Sequence, residues 1–267
     1  MTEGMIDIHC HILPGIDDGP STMEESVGMC RIAAADGIKT IVATPHFNHS
    51  LRLVHATGIC RLVRELNRHL TDAAIPLTVL PGAEAPVVPE LPEYLAKGEV
   101  LTINESKRYL LVEFHPQTMP LNWDKFFLSL MEKAVVPVIA HPERNEWFSR
   151  NIAALYDAVK SGVLVQITAM SITGQFGEEV RAFSSRLLEH NLVHTIATDA
   201  HSASHRPPIL SAAVKAASEI IGRERARELV GKIPHAITEG APLSIPEPVK
   251  AQMETAAEKK WARRLFH

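Results

Sequence analysis

The chain has 267 residues, 46% of them hydrophobic and 22% charged, with a formal net charge of −4. That length allows one large α/β domain or two small ones, with a substantial core, and the charge balance offers no basic stripe to follow a phosphate backbone, which disfavours nucleic acid as a partner. An acidic residue where a signal peptide needs positive charge, no stretch approaching the roughly 20 apolar residues of a membrane span, and three cysteines (Cys10, Cys30 and Cys60) without a C-x-x-C motif lead to the expectation of a cytoplasmic protein with no membrane insertion.

Taken in chain order, seven short apolar or β-branched runs alternate with helix-like stretches. The first is MIDIH (5–9), followed by a Ser21-Thr-Met-Glu24 capping box opening a helix that Gly37 stops. TIVAT (40–44) precedes a helix over 55–70, and LTVLPG (77–82) precedes a Pro-rich stretch over 84–100 that reads as an extended loop around a short helix. YLLVEF (109–114), VPVIAH (136–141), VLVQI (163–167) and HTIATD (194–199) follow, with helices expected over 121–134, 150–161, 176–191 and 207–230. Continuous apolar strands alternating with helices indicate a parallel sheet covered on both faces. Seven β/α units point to a distorted (β/α)7 barrel related to the TIM barrel. The barrel is expected over residues 1–245, with 246–267 as a charged helical extension.

In such barrels chemistry sits at the carboxyl ends of the strands, and that is where the metal-type residues fall. The first strand ends in His9 and His11, which share a face at period-two spacing, with Asp18 in the loop beyond. TPH supplies His46, PGAE supplies Glu84, YLLVEF supplies Glu113, AHPER supplies His141, and TDAH supplies Asp199 and His201. Only the run ending QITA brings no ligand type. Nine nitrogen and oxygen donors exceed what one ion takes, so two or three divalent ions with a bridging carboxylate are expected. Absence of thiolate argues against a structural zinc site. Arg144 in HPER and Arg206 in SASHRPP follow two of the ligands and suit bidentate capture of phosphate oxygens. A cluster of this kind favours hydrolysis of a phosphate ester by a metal-activated hydroxide. Cys10 points away from the two histidines, and no Arg stands six positions after a cysteine, so a cysteine nucleophile is not expected. His194 begins a strand at the end opposite the site and reads as structural. His115 follows Glu113 at strand spacing and is left open.

Together, IDIHCHILPGIDDGP, ATPHF, PGAE, YLLVEF, IAHPER and QITAMSITGQFG followed by LVHTIATDAH resemble the polymerase-and-histidinol-phosphatase (PHP) superfamily. Within it they resemble the bacterial manganese-dependent protein-tyrosine phosphatases of capsule and exopolysaccharide synthesis. The resemblance implies the PHP form of the barrel and a trinuclear centre, with Mn2+ preferred and iron or zinc compatible with the same donors. It implies one ion on His9, His11, Glu84 and Asp199, a second on Glu84, Glu113 and His141, and a third on Asp18, His46 and His201. Arg144 and Arg206 match the phosphate-binding arginines, and Asp199 and His201 count with them as catalytic. The implied substrate is a phosphotyrosine-bearing protein, an autophosphorylating bacterial tyrosine kinase, and homo-oligomerisation is left open. Histidinol-phosphate-type phosphatases and phosphodiesterases of the same superfamily remain alternative readings, as does a non-catalytic metal-binding module. Three departures stand out: the single histidine of TPHF, the additional histidine of EFHP, and the polar C-terminal extension.

Overall fold

The computed structural model describes residues 4–47, 55–115 and 119–250. Its strands are β1 (Met5–Cys10), β2 (Ile38–Ala43), β3 (Thr78–Pro81), β4 (Glu84–Pro86), β5 (Tyr109–Glu113), β6 (Val136–Ala140), β7 (Leu164–Thr168) and β8 (Thr195–Ala197). All pairings are parallel, in the orders β1-β2-β3 and β4-β5-β6-β7-β8. Parallel register puts the carboxyl ends of all the strands on one rim.

Two seams join the sheets into a closed barrel. At one, Cys10 bridges Ala200, with the His11 N–H donating to Ala200 O at 2.9 Å and the Asp199 N–H to His9 O at 2.8 Å. At the other, His46 bridges Glu84, with the Phe47 N–H donating to Glu84 O at 2.8 Å. β3 and β4 are thus one strand broken at Gly82–Ala83, and the seven-unit barrel holds. The break needs a glycine because a Cβ at position 82 would lie 2.8 Å from Val42 Cγ1. It turns the Glu84 backbone from β3's register to pair with the segment after β2. The run expected to be loop therefore begins as a three-residue strand, too short for an alternation signal.

The helices are α1 (Met23–Asp36), α2 (Ala56–Asp72), α3 (Leu91–Ala96), α4 (Trp123–Met131), α5 (Glu146–Arg150), α6 (Ile152–Lys160), α7 (Ala169–Ile172), α8 (Glu178–Glu189), α9 (Ser211–Ile221), α10 (Arg223–Glu228) and α11 (Lys232–Thr238). The capping box of α1 sits one residue later than Ser21/Glu24: Thr22 and Glu25 make both reciprocal bonds, because the sequence STMEE offers either pair. Gly37 closes the helix in the left-handed region at φ 96°. The helix expected over 207–230 is two, broken at Gly222 (φ 80°, ψ 155°). Residues 246–250 are not helical as the extension was expected to be; the Val249 N–H donates to His190 O at 2.9 Å, and 251–267 lie outside the described residues.

Below the rim, Phe114, Trp123, Phe127 and Phe148 pack with ring centroids 5.1–5.7 Å apart, several edge to face. Phe148 is fully buried, and truncating such a ring costs about 3–5 kcal/mol. This packing anchors α5 directly behind the HPER turn.

Candidate metal centre

All nine metal-type residues expected at the rim meet there. Glu84 stands in the middle, buried, with Oε1 3.0 Å from His141 Nε2 and 3.2 Å from His9 Nε2. Its Oε2 lies 3.0 Å from His46 Nδ1 and 3.3 Å from His11 Nε2. Both oxygens are shared among four imidazoles, as a bridging carboxylate requires. Burial alone would raise the Glu84 pKa, but His9 and the other rings hold it well below the carboxylate range.

Among the described residues the ligand atoms fall into four groups: His11, Asp18, His46 and His201; His9, His11 and Glu84; His9, His141 and Asp199; and His46, Glu84 and Glu113. These four groups differ from the expected three-way division. His11 joins the Asp18 set, and His46 faces Glu113 as well as Asp18. His141 reaches Glu113 Oε1 at 3.6 Å.

The backbone is strained at two of these positions. His141 (φ 31°) and Asp199 (φ 50°) both adopt the left-handed region despite carrying side chains, and such outliers persist where the surroundings over-determine them. Pro142 follows His141 and disfavours the ordinary helical alternative.

The donor set fits divalent cations. Gln166 Oε1, which can only accept, lies 2.9 Å from His9 Nδ1, and the Asp17 carboxylate lies 2.7 Å from His11 Nδ1. Each Nδ1 therefore carries the proton, and each Nε2 turns a lone pair toward the cluster. These two Nε2 atoms are 3.3 Å apart, an arrangement that calls for positive charge between them. His201 Nδ1 is likewise fixed by Asp199 O at 2.9 Å, leaving Nε2 3.2 Å from Asp18 Oδ1. Burial would push His11 down, yet hydrogen bonds to Asp17 and Glu84 outweigh it and raise it to about 10, so a cation would have to displace the Nε2 proton to reach that lone pair.

Arg144 and Arg206 converge on Asp199. Arg144 Nη2 lies 2.7 Å from Oδ2, and Arg206 Nη2 pairs with the same oxygen while donating to Asp199 O at 2.8 Å. Both Nε atoms are buried without a hydrogen-bond partner among the described residues. Two guanidiniums beside a cluster suited to cations favour an anion. They line a cavity of about 340 Å³ together with Asp18, His46, Glu113, His141 and Phe114. His115 is exposed and belongs to none of the four groups. Cys10 is fully buried in the core.

Asp17, Gln166 and Glu143 are outside the expected site residues, yet each bonds to a part of the centre or anchors the turn that carries part of it. Of the two adjacent aspartates, Asp18 faces the cluster with its side chain 62% exposed, whereas Asp17 is 4% exposed and works from behind. Besides His11, it accepts from the His46 N–H at 3.3 Å and the Gly19 N–H at 3.0 Å. A polar Gln166 in the middle of the otherwise apolar VLVQI was the one visible clue. Buried Glu143 accepts from the Thr168 N–H at 2.9 Å and from Ser171 Oγ at 2.6 Å.

A family model described as "Capsular polysaccharide synthesis, CpsB/CapC" matches residues 5–239. The tyrosine-protein phosphatase YwqE of Bacillus subtilis is 39% identical over 255 residues, covering 92% of this chain and 97% of its own. A crystal structure from work on YwqE and on CpsB from Streptococcus pneumoniae, described as unique metal-dependent tyrosine phosphatases, superposes with a TM-score of 0.88 at 37% identity, covering 93% of this chain and 100% of that one. A histidinol phosphate phosphatase from Lactococcus lactis shares the fold alone, at a TM-score of 0.50 and 15% identity over 84% of this chain and 94% of its own.

Proposed function

The chain belongs to the CpsB/CapC family of capsular polysaccharide synthesis, and we infer that its strand-end cluster makes it a metal-dependent tyrosine phosphatase. The finer reading is that the centre takes three divalent ions, Mn2+ foremost, and that the substrate is the phosphotyrosine of an autophosphorylating tyrosine kinase of polysaccharide synthesis, in the cytoplasm. The observation that carries the chemistry is the clustering of nine donor residues, with Glu84 between four of the histidines and two arginines beside the cluster. Three unpaired cysteines agree with a reducing compartment.

His9, His11, Asp18, His46, Glu84, Glu113, His141, Asp199 and His201 would hold the ions. When bound, such ions supply a nucleophile available at neutral pH and positive charge at both the attacking and leaving oxygens of an in-line displacement. Asp17 and Gln166 keep the imidazoles of His11 and His9 oriented. Asp199 holds the two guanidiniums on Oδ2 and turns Oδ1 to His9 at 3.3 Å. Arg144 and Arg206 bind the phosphate oxygens and stabilise the charge that grows on them.

Substrate class is tested by comparing kcat/KM for a phosphotyrosine peptide, histidinol phosphate and a phosphodiester. The phosphotyrosine peptide is expected to lead; a preference for either of the others would reassign the substrate within the same fold.

A further inference from the structure

The stretch QITAMSITGQFG supplies no ligand, yet it meets the HPER turn at three points. The His141 N–H donates to Gln166 Oε1 at 3.4 Å. Glu143 binds Thr168 and Ser171. The third contact is Arg144, whose guanidinium carbon lies 5.3 Å from the centroid of the Phe176 ring.

Phe176 reaches that position on a tied turn between α7 and α8. Gly174 (φ 85°) and Gly177 (φ 97°) flank it in a region that favours glycine. The Gln175 N–H donates to Met170 O at 3.0 Å and the Gly177 N–H to Gly174 O at 3.0 Å. An aromatic face behind a planar guanidinium attracts it while leaving its N–H edges available. Arg144 spends one edge on Asp199, and its Nε has no hydrogen-bond partner among the described residues. Arg206 has no ring beneath it among the described residues.

We propose that Phe176 is a positioning residue for phosphate capture: its ring backs the Arg144 guanidinium and holds it against the cavity that would take the substrate phosphate. The inference rests on the phosphatase reading above, in which Arg144 binds phosphate. It gives the one strand unit without a ligand a definite task, since β7 and the turn beyond it orient His9, clamp Glu143 and back Arg144.

The test uses full-length, Mn2+-loaded protein and the variants Phe176→Leu, Phe176→Tyr, Arg144→Ala and Arg144→Ala/Phe176→Leu. Binding of inorganic phosphate, KM and kcat for a phosphotyrosine peptide, metal per chain, and the NMR signal of the Arg144 Nε–H, shifted by the ring current, are followed. Phe176→Leu is expected to weaken phosphate binding and raise KM by roughly 2- to 10-fold, with kcat and metal content near wild type and the ring-current shift lost. Phe176→Tyr should restore all of these, and the double variant should bind phosphate no worse than Arg144→Ala. Equal losses from Phe176→Leu with and without Arg144, or no rescue by Tyr, would overturn the proposal. Phosphate binding and the NMR shift do not depend on turnover, so a wild-type protein inactive on phosphotyrosine would refute the function while these readouts still judge Phe176.

Discussion

The Nε2 atoms of His9 and His11 stand 3.3 Å apart, and each ring is held from behind by an acceptor, Gln166 on β7 for His9 and Asp17, six residues on in the same loop, for His11. Neither ring is free to turn its lone pair away. The residues behind the rings therefore set which nitrogen of each faces the cluster.

Removing that support should weaken metal binding without removing a ligand. Asp17→Ala and Gln166→Ala are each expected to lower Mn2+ affinity by roughly 10- to 100-fold, measured by competition against a chelator. Asp17→Asn, which keeps an acceptor for His11, should lose less. Unchanged affinity in both alanine variants would show that the rings are held by packing alone.

Arg144→Ala and Arg206→Ala should each lower kcat/KM on a phosphotyrosine peptide by the equivalent of about 2–4 kcal/mol while leaving the metal in place. The removal of either also relieves Asp199 Oδ2 of one partner, so metal analysis accompanies the kinetics. Wild-type kcat/KM in both would make them surface cations.

Acid stability should depend on His194, which is fully buried and whose Nδ1 accepts from the Val165 N–H at 2.9 Å. Burial, with Arg225 nearby, depresses it from 6.5 to about 3. Between those values the unfolded chain binds a proton that the folded chain refuses, so stability falls as pH drops below 6.5, by about 2 kcal/mol near pH 5. His194→Asn, which can still accept from Val165, should show a shallower loss of stability over pH 6.5–4.5 in denaturant titrations. Identical slopes would contradict the assignment.

Cys10 lies between two ligands but is fully buried, and burial pushes its thiol well above its ordinary range. Cys10→Ser should keep most activity at a stability cost of about 1–3 kcal/mol. A trapped phosphocysteine would refute this.

Strand ends made most of the site legible: in a parallel barrel, a histidine or carboxylate closing an apolar run has one destination, and His9, His46, Glu113, His141 and Asp199 all reach it. What stayed hidden depends on contacts that cross the barrel. Adjacent Asp17 and Asp18 are equivalent in a loop without periodicity, and only the fold turns one to the cluster and the other behind His11. Gln166 looked like an interruption of an apolar strand because an amide is no metal signal. The three-residue β4 was invisible because its pairing with His46 and β5 is non-local. The split of α9 from α10 at Gly222 was legible in principle, since glycine inside a helical pattern costs about 1 kcal/mol.

The most direct measurement is turnover of a phosphotyrosine peptide by protein stripped of metal and then titrated with Mn2+, with bound metal counted at each step. No turnover is expected in the stripped protein, with recovery that follows occupancy of the cluster and no recovery in Asp199→Asn or His141→Ala. Full turnover in a sample shown to be free of metal would contradict this expectation.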